Sequence, residues 1–307
     1  MSDQDIQKLN AGSSISDQVA MLRRLQWRVR HTVESVLSGE YKSSFRGKGM
    51  EFDQVVKYEF GDDVRDIDWN VTARLGEPYR KKFIEEREIT LLLLFEDSPS
   101  LQFGSGGVSK REALMELASL IMLLSSLNGD RISLMYCSPN GFDYQKSLNG
   151  RGRIMHAASS LLSQPKPEML KNPHSQIPWK YVAKAAPRHS VFVWLGDFGT
   201  MERPSAWNII RKRYQPLGFR IEDPWERNLP KSGSQSVFDP LSGSLFTLNG
   251  KSKTQRDAHQ EWVNQRDESF KELFPKQADR LTLAAGEDPL DSVVKLFHTR
   301  MQQYAQG

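Results

Sequence analysis

Leu91-Leu92-Leu93-Leu94-Phe95-Glu96-Asp97-Ser98-Pro99-Ser100 decides the fold. An unbroken apolar run of this length has no polar face. It reads as a strand covered on both sides, the habit of parallel sheets in α/β proteins. Working outward, residues 110–127 form an amphipathic pattern closed by Asn128-Gly129, a helix with a glycine stop. Residues 131–137 and 190–195 read as further buried strands, 217–221 and 281–284 as shorter ones. Residues 151–163, 177–185, 203–213, 254–273 and 289–303 read as helices, and 237–246 as a hairpin around Pro240-Leu241-Ser242-Gly243. Strands alternating with helices predict a mostly parallel α/β sheet of Rossmann type, with helices on both faces. Ligands of such a sheet sit outside the carboxyl ends of its strands.

The chain has 307 residues, enough for one large domain with an extension. Its net charge of +4, from 42 basic and 38 acidic residues, is too mild to argue for nucleic acid. The single cysteine, Cys137, cannot form an internal disulfide and points to a reducing compartment. Residues 1–10 lack the apolar core of a signal peptide. The longest uncharged apolar stretch, residues 117–128, is interrupted by serines and falls short of the roughly 20 residues a membrane span needs. A cytoplasmic protein without a membrane span is expected.

Upstream of the decisive strand the texture changes. Residues 1–13 read as a disordered leader. Residues 14–40 hold an N-terminal amphipathic helix, with Val19, Leu22, Leu25, Val29, Val33 and Val36 on one face and Arg23, Arg24, Arg28 and Arg30 over much of the rest. Residues 41–88, with Gly47, Gly49, Gly61 and Gly76 among short apolar alternations, read as a β-rich extension. The main α/β domain is expected over 89–305.

Glu96, Ser98 and Ser100 fall at alternate positions where the first strand ends, and Asp197 follows the strand 190–195. In a parallel sheet both ends share one edge. A carboxylate and two hydroxyls, joined by a second carboxylate, can converge on one hard cation, since magnesium takes six oxygens and keeps several waters. The same residue types also close turns and cap helices. Spacing alone leaves both readings open.

Glu96-Asp97-Ser98-Pro99-Ser100 resembles the D-x-S-x-S hallmark of the von Willebrand factor A fold, whose metal-ion-dependent adhesion site it forms. Glu96 stands in the aspartate place, Ser98 and Ser100 in the serine places, and Asp197 in that of the distal aspartate. Glutamate is one methylene longer, Asp97 offers a competing carboxylate, and the usual threonine has no assigned counterpart. The resemblance implies Mg2+ or Mn2+ held by Glu96, Ser98, Ser100 and Asp197.

A denser run is Tyr58-Glu59-Phe60-Gly61-Asp62-Asp63-Val64-Arg65-Asp66-Ile67-Asp68-Trp69-Asn70-Val71-Thr72-Ala73-Arg74. It resembles the signature of the fifty-eighth domain-of-unknown-function family, bacterial von Willebrand factor A-like proteins often encoded beside MoxR-type AAA+ ATPases. Gly47-Lys48-Gly49-Met50-Glu51-Phe52 before it, and Tyr79, Phe83 and Glu85-Glu86-Arg87 after it, agree. Asp223-Pro224-Trp225-Glu226-Arg227-Asn228-Leu229-Pro230 resembles the family's D-P-x-E-x-x-L-P block. The similarity runs over about 38–300. Physically, Asp62, Asp63, Asp66 and Asp68 with Arg65 and Arg74 are costly to bury unless paired, and each arginine offers a planar fork to a carboxylate. They form either a salt-bridged structural corner anchored by Trp69 or a partner-facing surface.

Other motifs fall away. Phe103-Gly104-Ser105-Gly106-Gly107-Val108-Ser109-Lys110 has the texture of a phosphate loop, but Lys110 follows a serine and Arg111 stands where Ser or Thr is needed. It reads as a flexible lip beside the strand-end site. Asp197-Phe198-Gly199 spells a kinase triplet without a kinase's other loops. The six histidines have no zinc spacing, and no G-x-S-x-G elbow occurs. The family resemblance implies a non-enzymatic adaptor that binds a MoxR-type AAA+ ATPase and a client protein, in protein maturation, complex assembly or stress response. The rival is a magnesium-dependent hydrolase or phosphoryl-transfer enzyme using Glu96, Asp197 and one of Asp66 and Asp68 as ligands. No general base or nucleophile is evident for it.

Overall fold

The computed structural model describes residues 20–24, 51–84, 89–168, 174–231, 233–239 and 244–305. The expected leader, most of the N-terminal helix, the glycines at 47 and 49, the run 85–87 and the hairpin tip at 240–243 lie outside these; residues 20–24 are helical. The chain divides into two compact units, Arg46–Ile89 and one that contains Thr90–Gly307.

In the large unit, six strands lie in the order β10-β7-β6-β3-β4-β5: β3 (Thr90–Glu96), β4 (Arg131–Ser138), β5 (Gly141–Leu148), β6 (Val191–Gly196), β7 (Gln215–Glu222) and β10 (Arg280–Ala284). All neighbours are parallel except β4 and β5. This is a Rossmann-like α/β sheet. The quoted run sits at its centre, with Leu93 opposite Leu134 on one side and Val193 on the other. Leu91 to Phe95 are fully buried, as an unbroken apolar strand between two helical layers must be. β5 was not anticipated: Gly-Phe-Asp-Tyr-Gln-Lys-Ser-Leu has no apolar run, because an antiparallel edge strand buries little.

The long helix that follows β3, α2 (Lys110–Asn128), starts with a reciprocal capping box between Ser109 and Glu112 and stops at Gly129, φ 76°. It packs against α3 (Arg151–Leu162) and α8 (Pro289–Ala305). The other face is covered by α4 (Trp179–Val182), α5 (Trp207–Arg213) and α7 (Lys253–Leu273). There Trp194, Trp207, Phe198, Phe270 and Phe274 meet edge-on or tilted, with centroids 4.4–6.4 Å apart. A Cβ at Gly218 would lie 2.3 Å from the Phe274 ring, so glycine lets that ring reach the sheet. The helix expected over 177–185 is a single turn after Pro178, and that over 203–213 begins only past Pro204.

In the small unit, β1 (Glu51–Lys57) pairs antiparallel with β2 (Tyr79–Ile84). Between them run a 3-10 turn, Val64–Asp66, and α1 (Trp69–Leu75). The signature is thus turn and helix, not strand. A separate hairpin in the large unit joins β8 (Ser234–Asp239) to β9 (Ser244–Asn249), as expected.

Candidate functional site

β3 leads through α2 to β4 on one side, whereas β6 lies on the other side of β3. The crevice at the carboxyl ends of β3 and β6 is therefore a topological switch point, where open α/β sheets bind ligands. Glu96 ends β3, and Asp197 follows β6.

The sequence-predicted residues meet only in part. Ser98 and Ser100 hydroxyls lie 2.7 Å apart, and Ser100 donates to Asp197 Oδ2 at 2.5 Å. Glu96 takes a different partner: Trp194 Nε1–H donates to its Oε2 at 2.8 Å. The extra methylene carries that carboxyl against Gly196, where a Cβ would stand 2.8 Å from Oε2. Glutamate at 96 and glycine at 196 are sterically matched. Burial, reinforced by the charge of Asp197, pushes the Glu96 carboxyl up to about 8. It is largely protonated at neutral pH.

Cations come from α2. Lys110, 1% exposed, places Nζ 3.1 Å from Asp197 Oδ2 and 2.6 Å from Glu226 Oε1. Burial alone would lower its pKa, but the two carboxylates outweigh this and hold it above the usual lysine value. Burial likewise opposes ionisation of Asp197, and Lys110 with Ser100 brings its carboxyl below the usual range. Arg111 grips the fully buried Asp97 through Nε and Nη2 at 2.8–3.0 Å, with the Tyr136 hydroxyl at 2.8 Å. Asp97 thus belongs to a separate ion pair and does not compete for the crevice.

The donor set as arranged does not fit a resident divalent ion. Such an ion draws on ionised oxygens with room for coordination; here the Glu96 carboxyl is turned to Trp194 Nε1, and Asp197 is already held by the Lys110 ammonium and the Ser100 hydroxyl. Among the described residues no cluster of three His, Cys, Asp or Glu side chains is arranged for a metal.

The signature residues lie in the small unit. Asp68 caps α1, accepting from the Asn70 and Val71 amides. Asp63 caps the 3-10 turn and pairs with Arg65, whose side chain is 89% exposed. Asp62 accepts from the Glu59 amide and lies 2.6 Å from Arg80 Nε. Asp66 is half-buried and Arg74 exposed. Trp69 is 67% exposed, and the Arg65–Asp63 pair is on the surface. Small polar caps and a backbone bridge, Ile67 to Arg80, hold the turn.

The family model described as protein of unknown function DUF58 matches residues 54–269, which takes in both the signature and the strand-end crevice. The chain belongs to DUF58. Among its relatives are uncharacterised proteins of Mycobacterium tuberculosis and Mycobacterium bovis, 27% identical over 225 residues, 73% of this chain and 71% of theirs. A solved structure, an uncharacterised membrane-spanning protein from Vibrio fischeri, aligns with 69% of this chain and 96% of its own at 12% identity. Its TM-score of 0.23 carries no argument. No helix among the described residues of this DUF58 protein is long and apolar enough to cross a membrane.

The second DUF58 block completes the site. Asp223 and Glu226 form a capping box at α6 (Pro224–Arg227), and Asp223 also holds Ser105 through its amide and hydroxyl. The segment expected to be a flexible lip is therefore pinned, and it delivers Lys110 and Arg111 to the buried edge. Glu226 pairs in turn with Arg266 of α7, and Arg266 with Glu222 at the end of β7. Sequence reasoning missed Lys110, Arg111, Glu226 and Arg266. The D-P-x-E spacing carried the one available signal, because Glu three residues after an Asp cap is a capping box.

Proposed function

We propose that this DUF58 protein is a non-enzymatic interaction module, an adaptor that works with a MoxR-type AAA+ ATPase on a client protein. The observation that carries the reading is the exposure of large apolar side chains along the signature: Phe60 fully, Val64 and Leu75 58%, Trp69 67%. Their neighbouring aspartates are engaged in caps and turns, which keeps the segment folded while the apolar groups face solvent. Aromatic residues so displayed are favoured at protein interfaces. The ATPase as partner, and maturation, assembly or stress response as setting, rest on the family resemblance. The cytoplasm as location rests on the single cysteine.

The rival, a magnesium-dependent hydrolase, has less support. Lys110 is charged and bonded to two carboxylates, so it is no general base. An adaptor related to von Willebrand factor A domains would here work without a metal bridging it to the partner. The test is binding of the purified MoxR-type ATPase from the same genome, measured by calorimetry. Wild type binds, and Trp69→Ala with Phe60→Ala loses at least tenfold in affinity at unchanged melting temperature. Equal binding by the variant overturns the assigned surface. Turnover of a phosphatase, nuclease or nucleotidase substrate, lost on Asp197→Asn, overturns the adaptor reading.

A further inference from the structure

Away from the crevice, at the β10 edge of the sheet, a cavity of about 290 Å³ opens between β7, β10 and α7. Arg220, Arg227, Lys271 and Arg280 line it with a single carboxylate, Asp267, and the hydroxyl of Thr282. Register explains the convergence: Arg220 stands opposite Thr282, and Arg280 opposite Gly218.

Arg220 is undercompensated. It is 3% exposed, yet its Nε and Nη1 have no hydrogen-bond partner. Its Nη2 reaches Asp267 at 2.7 Å, but Asp267 is shared with Arg227 at 2.8 Å. The next carboxylate, Glu222, lies 3.6 Å away and is already bonded to Arg227 and Arg266 at 2.8 and 3.0 Å. The guanidinium rests on the Phe270 ring, 4.7 Å from its centroid. Burial, with the neighbouring Arg266, lowers its pKa. A buried cation without full pairing is costly. The half-buried Arg280 and exposed Lys271 at the mouth add positive charge, and the Arg280 bonds go to the Phe274 and Pro275 carbonyls, which are neutral.

We infer that this cavity binds a small phosphate-class oxyanion, free or as a phosphomonoester, which completes the charge balance of the Arg220 cluster. Lys271 and Arg280 contact the anion from the mouth, and Arg220 attracts it from the wall. The volume lies at the lower end of small-molecule sites, roughly 300–1,000 Å³, and suits a phosphomonoester. The inference is independent of the adaptor reading.

The experiment is a melting series of the full chain in inorganic phosphate and in methyl phosphate, against chloride and acetate at equal ionic strength. A ligand that binds only the folded state raises the melting temperature with concentration. Phosphate and methyl phosphate are expected to raise it, and chloride and acetate not. Lys271→Glu, at an exposed helical position, weakens the response at least tenfold in concentration. Lys180→Glu, on α4 outside the cavity, responds as wild type. An equal rise in chloride, a response to acetate matching that to phosphate, no rise in phosphate, or equal responses in both variants overturns the inference. A rise with phosphate but not methyl phosphate restricts the site to the free ion and overturns the phosphomonoester part.

Discussion

Glu96→Gln should stabilise the protein at neutral pH, and by an amount that grows with pH. The Glu96 carboxyl is buried beside ionised Asp197, and its pKa is raised from 4.5 to about 8. In the unfolded chain it ionises near its ordinary value, so between these limits the folded state holds a proton the unfolded state has lost. Stability from this group is complete below about pH 4.5 and falls as pH rises to about 8. Each unit is worth about 1.4 kcal/mol, so the loss reaches about 3 kcal/mol at neutral pH. Glutamine is close in shape, keeps an oxygen for Trp194 Nε1–H and cannot ionise. The assay is urea unfolding of wild type and variant at several pH values from 5 to 8. Taking the difference cancels groups common to both, among them His259, whose pKa burial lowers and whose contribution therefore has the opposite slope. The advantage of Glu96→Gln should be small at pH 5 and grow by more than tenfold in the unfolding constant toward neutrality. A flat difference, or one that shrinks with pH, refutes the protonated Glu96.

Other perturbations test its surroundings. Lys110→Ala leaves Asp197 and Glu226 without their ammonium; breaking a buried pair costs about 3–5 kcal/mol, and magnesium should raise the melting temperature of the variant while leaving wild type unchanged. Arg111→Ala, which strands the buried Asp97, should cost a similar 3–5 kcal/mol or so in chemical denaturation, whereas Arg65→Ala, at an exposed pair, should leave the melting curve unmoved. Gly196→Ala brings a methyl against Glu96 Oε2 and should cost about 1–3 kcal/mol by overpacking; Glu96→Asp should relieve part of that cost in a double-mutant cycle read by urea unfolding.

The parallel core was legible because its signal is local. The runs at Leu91 to Phe95 and 191–195 are apolar without a break, and burial on two faces is one of few uses for such runs. β5 was illegible for the converse reason: an edge strand with Asp143, Gln145 and Lys146 writes no period. The site was half legible. Oxygen-bearing residues at two strand ends predict convergence, and Ser100 does meet Asp197. What neutralises Asp197 could not be read locally, since Lys110 lies 87 residues away and is placed by Ser105, itself held by Asp223 at a separation of 118. In the signature, Asp68, Thr72 and the Ile67 bridge hold the turn through contacts to backbone groups, while Trp69 is 67% exposed.

The lysine changes what the strand-end crevice can do for a partner. In an adhesion site the open coordination positions of a metal await a partner's carboxylate. Here the bonds of Lys110 run inward to Asp197 and Glu226, and the side chain is 1% exposed. From Ser98 the chain of contacts passes through Ser100, Asp197, Lys110, Glu226 and Arg266 to Glu222, and so ties the ends of β3, β6 and β7 to α2, α6 and α7. An approaching carboxylate would compete with ligands that are already in place and pre-organised. Removing any one of its charged links leaves an opposite charge without a partner in the buried network, so the network resists opening. The crevice is therefore best understood as an internal cross-link, and on the proposed adaptor reading a partner would meet side chains that face solvent. Phe60 and Trp69 meet that requirement within the DUF58 signature itself. Two variants divide the roles: Lys110→Ala should lower the unfolding free energy and, where the protein remains folded, keep ATPase binding, whereas Trp69→Ala should weaken binding and keep stability. Loss of binding in folded Lys110→Ala, with Trp69→Ala binding normally, would return the partner to the strand-end edge.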